Sequence, residues 1–298
     1  MNEDGRPDPA TEAFVSHRKL LFTVAYEMLG SAADAEDVLQ ETWLRWAGVD
    51  HETVREPRAY LVRIATRQSL GRLRALSRRK ETYVGPWLPE PLLTAPDVAE
   101  DVELADSVSM AMMLVLETLT PTERAVFVLR EVFGLGYEEI AEAVEKSPAA
   151  VRQIAHRARS HVAARRPRGV VSATETRAAL DAFRRALETG DLQGLVDLLA
   201  PDVVALSDGG GIKQAMPRPV VGAEKVARLL AAGVAAFGPL MTAEPTRVNG
   251  HPALLMRIDG EVEMVVALRI DDGLVTGLYS VRNPQKLTRM EHETALGR

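Results

Sequence analysis

Residues Leu119–Val162 read LTPTERAVFVLREVFGLGYEEIAEAVEKSPAAVRQIAHRARSHV. Thr120 and Glu123 stand at the spacing of a capping box, and Pro121 takes the first helical position, where a missing N–H is tolerated. Gly134 and Gly136 break the pattern. A short helix from Tyr137 to Val144 and a tight turn follow, and Ser147 caps a last helix that opens on Pro148. A short helix, a turn and an arginine-rich helix form the layout of a helix-turn-helix, whose second helix enters the major groove of DNA.

The formal net charge of the 298-residue chain is −6, from 36 basic and 42 acidic side chains. That balance argues against a DNA binder only if charge is evenly spread, and it is not. Between Arg55 and Lys80 nine bases face one acid, Glu56; between Ser147 and Arg168 there are six arginines and no acid. Between them, from Gly85 to Ser107, lie six acids and no base. Two basic surfaces joined by an acidic connector suit two phosphate contacts on one partner.

Upstream, Phe14, Leu21, Val24, Ala25 and Met28 recur at helical spacing up to Gly30. A second helix is expected from Asp34 to Ala47 and a third from Pro57, with the loop GVDHETVRE between them. The stretch GPWLPEPLLTAP, from Gly85 to Pro96, holds four prolines and must be extended, a linker. Helical periodicity resumes near Asp101 and runs through Leu119. Downstream, helices over Ala173–Thr189 and Leu192–Ala200 precede a strand at Val203–Leu206 and the turn Asp208-Gly209-Gly210-Gly211. A further helix spans Ala223–Phe237. β-rich runs then alternate with Asn249-Gly250, Asp259-Gly260 and Asp272-Gly273, which are strong hairpin signals. This last part reads as α+β.

Cysteine is absent, which excludes disulfides, thiolate metal sites and a cysteine nucleophile. The first residues lack a basic segment followed by an apolar run, and no apolar stretch is long enough to cross a bilayer. A cytoplasmic protein that is monomeric when free is expected, with no membrane partner, no cofactor and no metal.

The helix DAEDVLQETWLRW and the basic helix PRAYLVRIATRQSLGRLR resemble region 2 of extracytoplasmic-function sigma factors, and Thr120–Val162 resembles region 4 of the same family. The resemblance runs from Phe14 to Val162 in the family's order. It implies two all-α sigma domains, at 10–80 and 106–167, with the linker at 81–105. Core RNA polymerase and promoter DNA are the implied partners. In the family the polar face of the second helix docks on a coiled coil of the polymerase clamp, a role implied here for Asp37, Gln40, Glu41 and Leu44. The loop and third helix resemble the reader of the minus-10 element. A flipped base needs a pocket and single-stranded phosphates need cations. Asp50, His51 and Glu52 are the loop groups for the base, and Arg58, Arg63 and Arg67 form the cationic face. Tyr60 either stacks on a base or belongs to the core. The last helix implies minus-35 contacts from Ala149, Arg152, Gln153, His156 and Arg157, since Arg and Gln can grip guanine and adenine through paired hydrogen bonds. Val151, Ile154 and Ala155 should pack inward, and Arg159, Arg165 and Arg166 meet phosphate or solvent.

Residues 172–287 resemble the SnoaL-like fold, a cone of sheet and helices. Three strings tie the chain to one sigma-factor group with this extension: Trp87-Leu88-Pro89-Glu90-Pro91, Asp208-Gly209-Gly210-Gly211 and Asn283-Pro284-Gln285-Lys286-Leu287. In that group the extension is a built-in regulator. The resemblance implies a regulatory interface that includes Trp87, Leu88, Pro89, the Asp208–Gly211 turn, Asn283, Pro284, Lys286 and Leu287. Such cones are hollow, leaving room for a small-molecule effector. Catalysis by a pocket carboxylate would fall to Asp208, but beside three glycines it serves as well to shape a turn or bind the linker. His251 precedes a proline in a hairpin and is expected to be exposed. The remaining alternative is a helix-turn-helix regulator with a ligand-sensing C-terminal domain, which leaves the DAEDVLQETW helix and the second basic block unexplained.

Overall fold

A computed structural model describes residues 8–80, 82–95, 101–165 and 173–297. Among them the first helices are α1 (Pro9–Leu29), α2 (Ala32–Ala47), α3 (Pro57–Lys80), α4 (Val102–Val108) and α5 (Met110–Leu116). Then come α6 (Pro121–Phe127), α7 (Tyr137–Val144), α8 (Pro148–Ala163), α9 (Ala173–Thr189) and α10 (Leu192–Leu198). The strands β1 (Leu199–Asp208) and β2 (Val220–Val221) precede α11 (Ala223–Phe237), and β3 (Met241–Val248), β4 (His251–Ile258), β5 (Glu261–Asp271) and β6 (Leu274–Val281) follow. They fall into two compact units, bounded as Met1–Glu81 with Val115–Arg165 and Ala295–Arg298, and Thr82–Leu114 with Arg166–Thr294.

The first unit is helical. Asp8 caps α1 by accepting the Thr11 N–H at 3.0 Å, and Gly30, at φ 68°, closes it with an N–H to the Tyr26 carbonyl. Ser31 caps α2 through the Asp34 N–H, so the helix starts two residues before the Asp34 expected from composition. Every residue from Leu20 to Leu29 is buried, because α2, α3 and α6 pack around α1. That half of α1 is apolar nearly all round, Thr23 and Glu27 excepted, as a helix segment buried on every side must be. Trp46 fills the same core and donates its indole N–H to the Ala10 carbonyl at 2.8 Å. Arg124 on α6 is only 1% exposed. Its Nε–H donates to the Glu27 carbonyl at 2.8 Å and its guanidinium pairs with Glu117. The capping box of Thr120 and Glu123 forms as the spacing predicts, with burial opposing and the Thr120 hydroxyl bond holding the Glu123 carboxyl below its ordinary pKa. Between α7 and α8, Glu145 turns the chain at φ 56°, and Ser147 caps α8.

The second unit is a six-stranded sheet of order β2-β1-β6-β5-β4-β3, in which β1 and β6 run parallel and the other pairs antiparallel. The three hairpin turns form where the dipeptides stand. Asn249-Gly250, Asp259-Gly260 and Asp272-Gly273 all carry positive φ at both residues, as a type I′ turn requires. One face of the sheet packs against α9, α10 and α11, with Phe183, Leu195, Val226, Leu254 and Leu278 at its core. The opposite face holds Val248, Leu255, Val265, Tyr279 and Val281, and onto it fold Leu88, Met110, Leu287 and Met290.

Two expectations change. The helical run from Asp101 to Leu119 is two helices, because Ser109 is extended (ψ 146°) and its hydroxyl caps α5 through the Met112 N–H. Leu199 and Ala200 open β1 instead of closing a helix, since the chain turns extended at Leu199.

Candidate functional site

On α2, Asp37, Gln40 and Leu44 are exposed, Leu44 at 65%, and Glu41 is half-buried. Arg72 from α3 gathers the acids, with Asp37 at 2.7 Å, Glu41 at 2.9 Å and Asp34 at 3.2 Å. Burial works against the guanidinium, but the bond to Asp37 and the three carboxylate charges outweigh it and hold its pKa above the ordinary value. The face therefore combines charge, already oriented, with one bare apolar side chain.

The loop before α3 is more tightly folded than its polar residues suggest. His51 is not free to meet a base: its Nε2 lies 3.0 Å from the Trp46 carbonyl and its ring stands edge-on to Trp46. Asp50 caps the short turn His51–Thr53 through the Glu52 N–H, and both carboxylates are exposed. Tyr60 packs between Trp46 and the Arg63 guanidinium, 4.8 Å from its ring centroid. Arg58 and Arg67 are exposed. Arg63 reaches the Glu142 carboxylate of α7 at 2.9 Å, while Arg67 donates to the Glu142 carbonyl at 2.9 Å and lies 3.5 Å from Glu145. Two of the three cations on this face are thus engaged by α7.

On α8, Val151, Ile154, Ala155 and Ala158 are buried, and Ala149, Arg152, Gln153, His156 and Arg157 share the exposed face. Arg152 lies 5.8 Å from the Tyr137 ring centroid and 3.8 Å from Glu138. Arg159 pairs with Glu131 at 3.3 Å. Arg166 lies outside the described residues.

The third constellation is buried. Asp208 is fully enclosed at the end of β1. One carboxylate oxygen accepts the Tyr83 hydroxyl at 2.6 Å and the Gly210 N–H at 3.0 Å; the other accepts the Leu88 N–H at 2.9 Å and the Lys286 ammonium at 2.8 Å. Lys286 also donates to the Leu88 carbonyl and sits 4.3 Å from the Trp87 ring centroid. The Asn283 amide donates to the Tyr83 oxygen at 2.9 Å. Burial and the bond to Asp208 push the Tyr83 phenol well above its ordinary pKa, so it remains a donor. Asn283 further caps the turn Pro284–Lys286, where Pro284 is exposed and Leu287 beyond it is buried. The glycines have steric reasons. A Cβ on Gly209 would fall 2.1 Å from the Lys213 carbonyl oxygen, and one on Gly210 would fall 2.3 Å from the Asn283 amide.

The linker continues along the sheet edge. Leu92 exchanges hydrogen bonds with Asn249, Leu93 bridges to Val248, and Thr94 bonds the Arg247 carbonyl and the Gly250 N–H. Leu88 and Leu92 are wholly buried, and Pro89 and Glu90 are buried beside them. The linker thus pairs with the last residues of the edge strand β3, Arg247 and Val248. His251, expected to be exposed, is half-buried, because its ring nitrogen meets the Ala105 carbonyl of α4 at 3.1 Å. Burial pushes its pKa below the ordinary histidine value. Sequence reasoning missed Tyr83, Arg72 and the second role of Asn249; only the last had a signal, as half of a turn dipeptide.

Comparison with known proteins fits this geometry. The pattern of Sigma-70 region 2 matches residues 13–79, and that of Sigma-70, region 4 matches residues 109–162. The chain is 37% identical over 290 residues to the ECF RNA polymerase sigma factor SigJ of Mycobacterium tuberculosis, covering 92% of each chain. It is similar to the crystal structure of that extracytoplasmic-function sigma factor, with a TM-score of 0.76 and 33% identity over 94% of this chain and 98% of that one. Helical regions 2 and 4, an intervening linker and a C-terminal α/β sheet domain thus follow one another as in a known sigma factor: the chain belongs to the extracytoplasmic-function RNA polymerase sigma factors.

Proposed function

We propose that this sigma factor docks on core RNA polymerase through Asp37, Gln40, Glu41 and Leu44, and reads the minus-10 element with the face that carries Glu52, Arg58, Arg63 and Arg67. The exposed face of α8, from Ala149 to Arg157, reads the minus-35 element. Asp50 and His51 support the loop, as cap of its short turn and as partner of the Trp46 carbonyl. The chain works in the cytoplasm, without catalysis of its own; among the described residues no helix is long and apolar enough to cross a membrane.

The C-terminal domain is its regulator, and one observation carries that reading: the linker between regions 2 and 4 is seated on the sheet by the buried carboxylate of Asp208. A linker held at Leu88 and Leu92 cannot change its reach without breaking buried hydrogen bonds. A small molecule bound to the sheet domain would be the natural input. Run-off transcription with purified core polymerase tests this on three chains: full length, ending at Arg282, and ending before Ser172. Release of the seat predicts higher activity for the first truncation, and loss of linker support predicts lower activity for the second. Equal activity from all three would reject the regulatory role, and no activity from any would reject the sigma assignment of these faces.

A further inference from the structure

Between the sheet and α9 and α11 lies a cavity of about 500 Å³. That size lies within the ordinary range for small-ligand sites. Met216, Met241, Met256 and Met264 line it, together with Leu187 and Leu230. Phe183 is the one aromatic among its described lining residues, and Arg282 the one ionisable group. Flexible methionine walls suit a flexible apolar body, and they offer little stacking surface to a flat ring system.

The polar groups gather at one end. Ser207 and Ser280 are cross-strand partners on β1 and β6, and both line the cavity. Arg282 donates to the Gln214 carbonyl and to Glu263, each at 2.6 Å, and its buried Nε–H has no hydrogen-bond partner. Lys213 pairs with the same Glu263 at 2.8 Å. Burial opposes ionisation of Glu263, but the bonds from Lys213 and Arg282 prevail and hold its pKa below the ordinary carboxylate value. Two cations therefore share one carboxylate, leaving a positive excess beside an unfilled donor.

From this we infer that the cavity is the effector site, and that its ligand is a flexible aliphatic carboxylic acid of the fatty-acid class, head group on Arg282 and chain among the methionines. The inference rests on the regulatory reading above and specifies its input. Strand alternation supplies the coupling, since successive side chains point to opposite faces. Ser207 lines the cavity while Asp208 seats the linker; Arg282 lines the cavity while Asn283 holds Tyr83. The Arg282 and Asn283 N–H groups both donate to the Asp208 carbonyl, at 2.7 and 2.9 Å. A carboxylate that draws Arg282 away from Glu263 pulls on the peptide that carries the linker seat.

The test titrates the full-length protein with dodecanoate, with dodecan-1-ol and with 2-naphthoate by calorimetry, and follows amide hydrogen exchange of residues 83–94. Dodecanoate should bind one per chain, about tenfold tighter than the alcohol, the margin of one charge-assisted hydrogen bond. Arg282→Gln should erase that margin while the alcohol still binds. Exchange across the linker should change on addition of dodecanoate. Equal binding of acid and alcohol to the wild type, tighter binding of 2-naphthoate, or no binding at all would overturn the ligand class. Binding that leaves linker exchange unchanged would overturn the coupling and keep the site. The truncation series needs no ligand, so its failure is separable from these.

Discussion

The Asp208 carboxylate holds the Leu88 N–H at 2.9 Å across 120 residues of sequence, inside a site that excludes water. Asp208→Ala would take the carboxylate from the Lys286 ammonium and the acceptor from the Leu88 N–H together. Breaking a buried pair from one side typically costs about 3–5 kcal/mol. Chemical denaturation should show a loss of that order for the sheet domain, and exchange at Leu88 should accelerate. A loss within the error of the measurement would mean that the seat opens readily in solution.

Glu142 and Glu145 occupy Arg63 and Arg67 in this state. The pairs are largely exposed and each contributes only about 0.2–1 kcal/mol. Glu142→Gln with Glu145→Gln should therefore raise affinity for a single-stranded minus-10 oligonucleotide modestly, roughly twofold to tenfold. Fluorescence anisotropy at low salt reads it, and the gain should shrink as salt rises.

Leu44 is 65% exposed on the α2 face. Leu44→Ala should leave stability within about 0.5 kcal/mol, yet weaken binding to core polymerase by the 1–2 kcal/mol typical of an apolar interface anchor. Surface plasmon resonance with immobilised core decides; unchanged affinity would move the docking face elsewhere.

Arg152 and Arg165 should separate base reading from phosphate binding. Arg152→Ala should cost roughly 1–3 kcal/mol at one minus-35 position if the grip is bidentate. Arg165→Ala should weaken binding to all sequences and flatten the salt dependence. Competition between operator variants distinguishes them, and a sequence-independent loss from Arg152→Ala would reduce that residue to a phosphate contact.

His251 makes stability depend on pH. Its folded pKa lies below the ordinary value of 6.5, so the unfolded chain takes up more proton as pH falls past that value. Stability is then constant above about pH 7 and declines below pH 6.5, by at most about 1.4 kcal/mol per pH unit. His251→Asn, measured by denaturation from pH 5 to 8, should reduce that slope, leaving the part contributed by His17, which burial also holds below the ordinary value. A slope equal to the wild type's would assign it to other groups.

Much of this was legible in the chain because the signals were local. Thr120 with Glu123, Ser147 before Pro148, and three Asx-Gly turns each specify a backbone geometry within four residues, and each formed. The exposed row from Ala149 to Arg157 followed from helical spacing alone. What sequence reading missed depends on distant partners. His251 was expected free because nothing near it in sequence reveals Ala105, 146 residues away; the Trp46 carbonyl lies only five residues from His51, but the turn that aims it at the ring is not written in those residues. Tyr83 and Arg72 were passed over for the same reason: a buried carboxylate 125 residues away, and acids a helix away, give them their roles. The break at Ser109 was hidden by apolar residues that suit one helix or two.

The parallel pairing of β1 with β6 orders events on the ribosome. The linker leaves the exit tunnel early, but Asn283 and Lys286, which complete its seat, follow Tyr83 and Leu88 by 200 and 198 residues. At ordinary elongation rates the interval is roughly ten to forty seconds. Regions 2 and 4 are synthesised first and domains fold as they emerge, so each nascent sigma factor passes through a period in which its linker has no dock. On the proposed regulatory reading, control by the sheet domain begins only once Lys286 has left the ribosome.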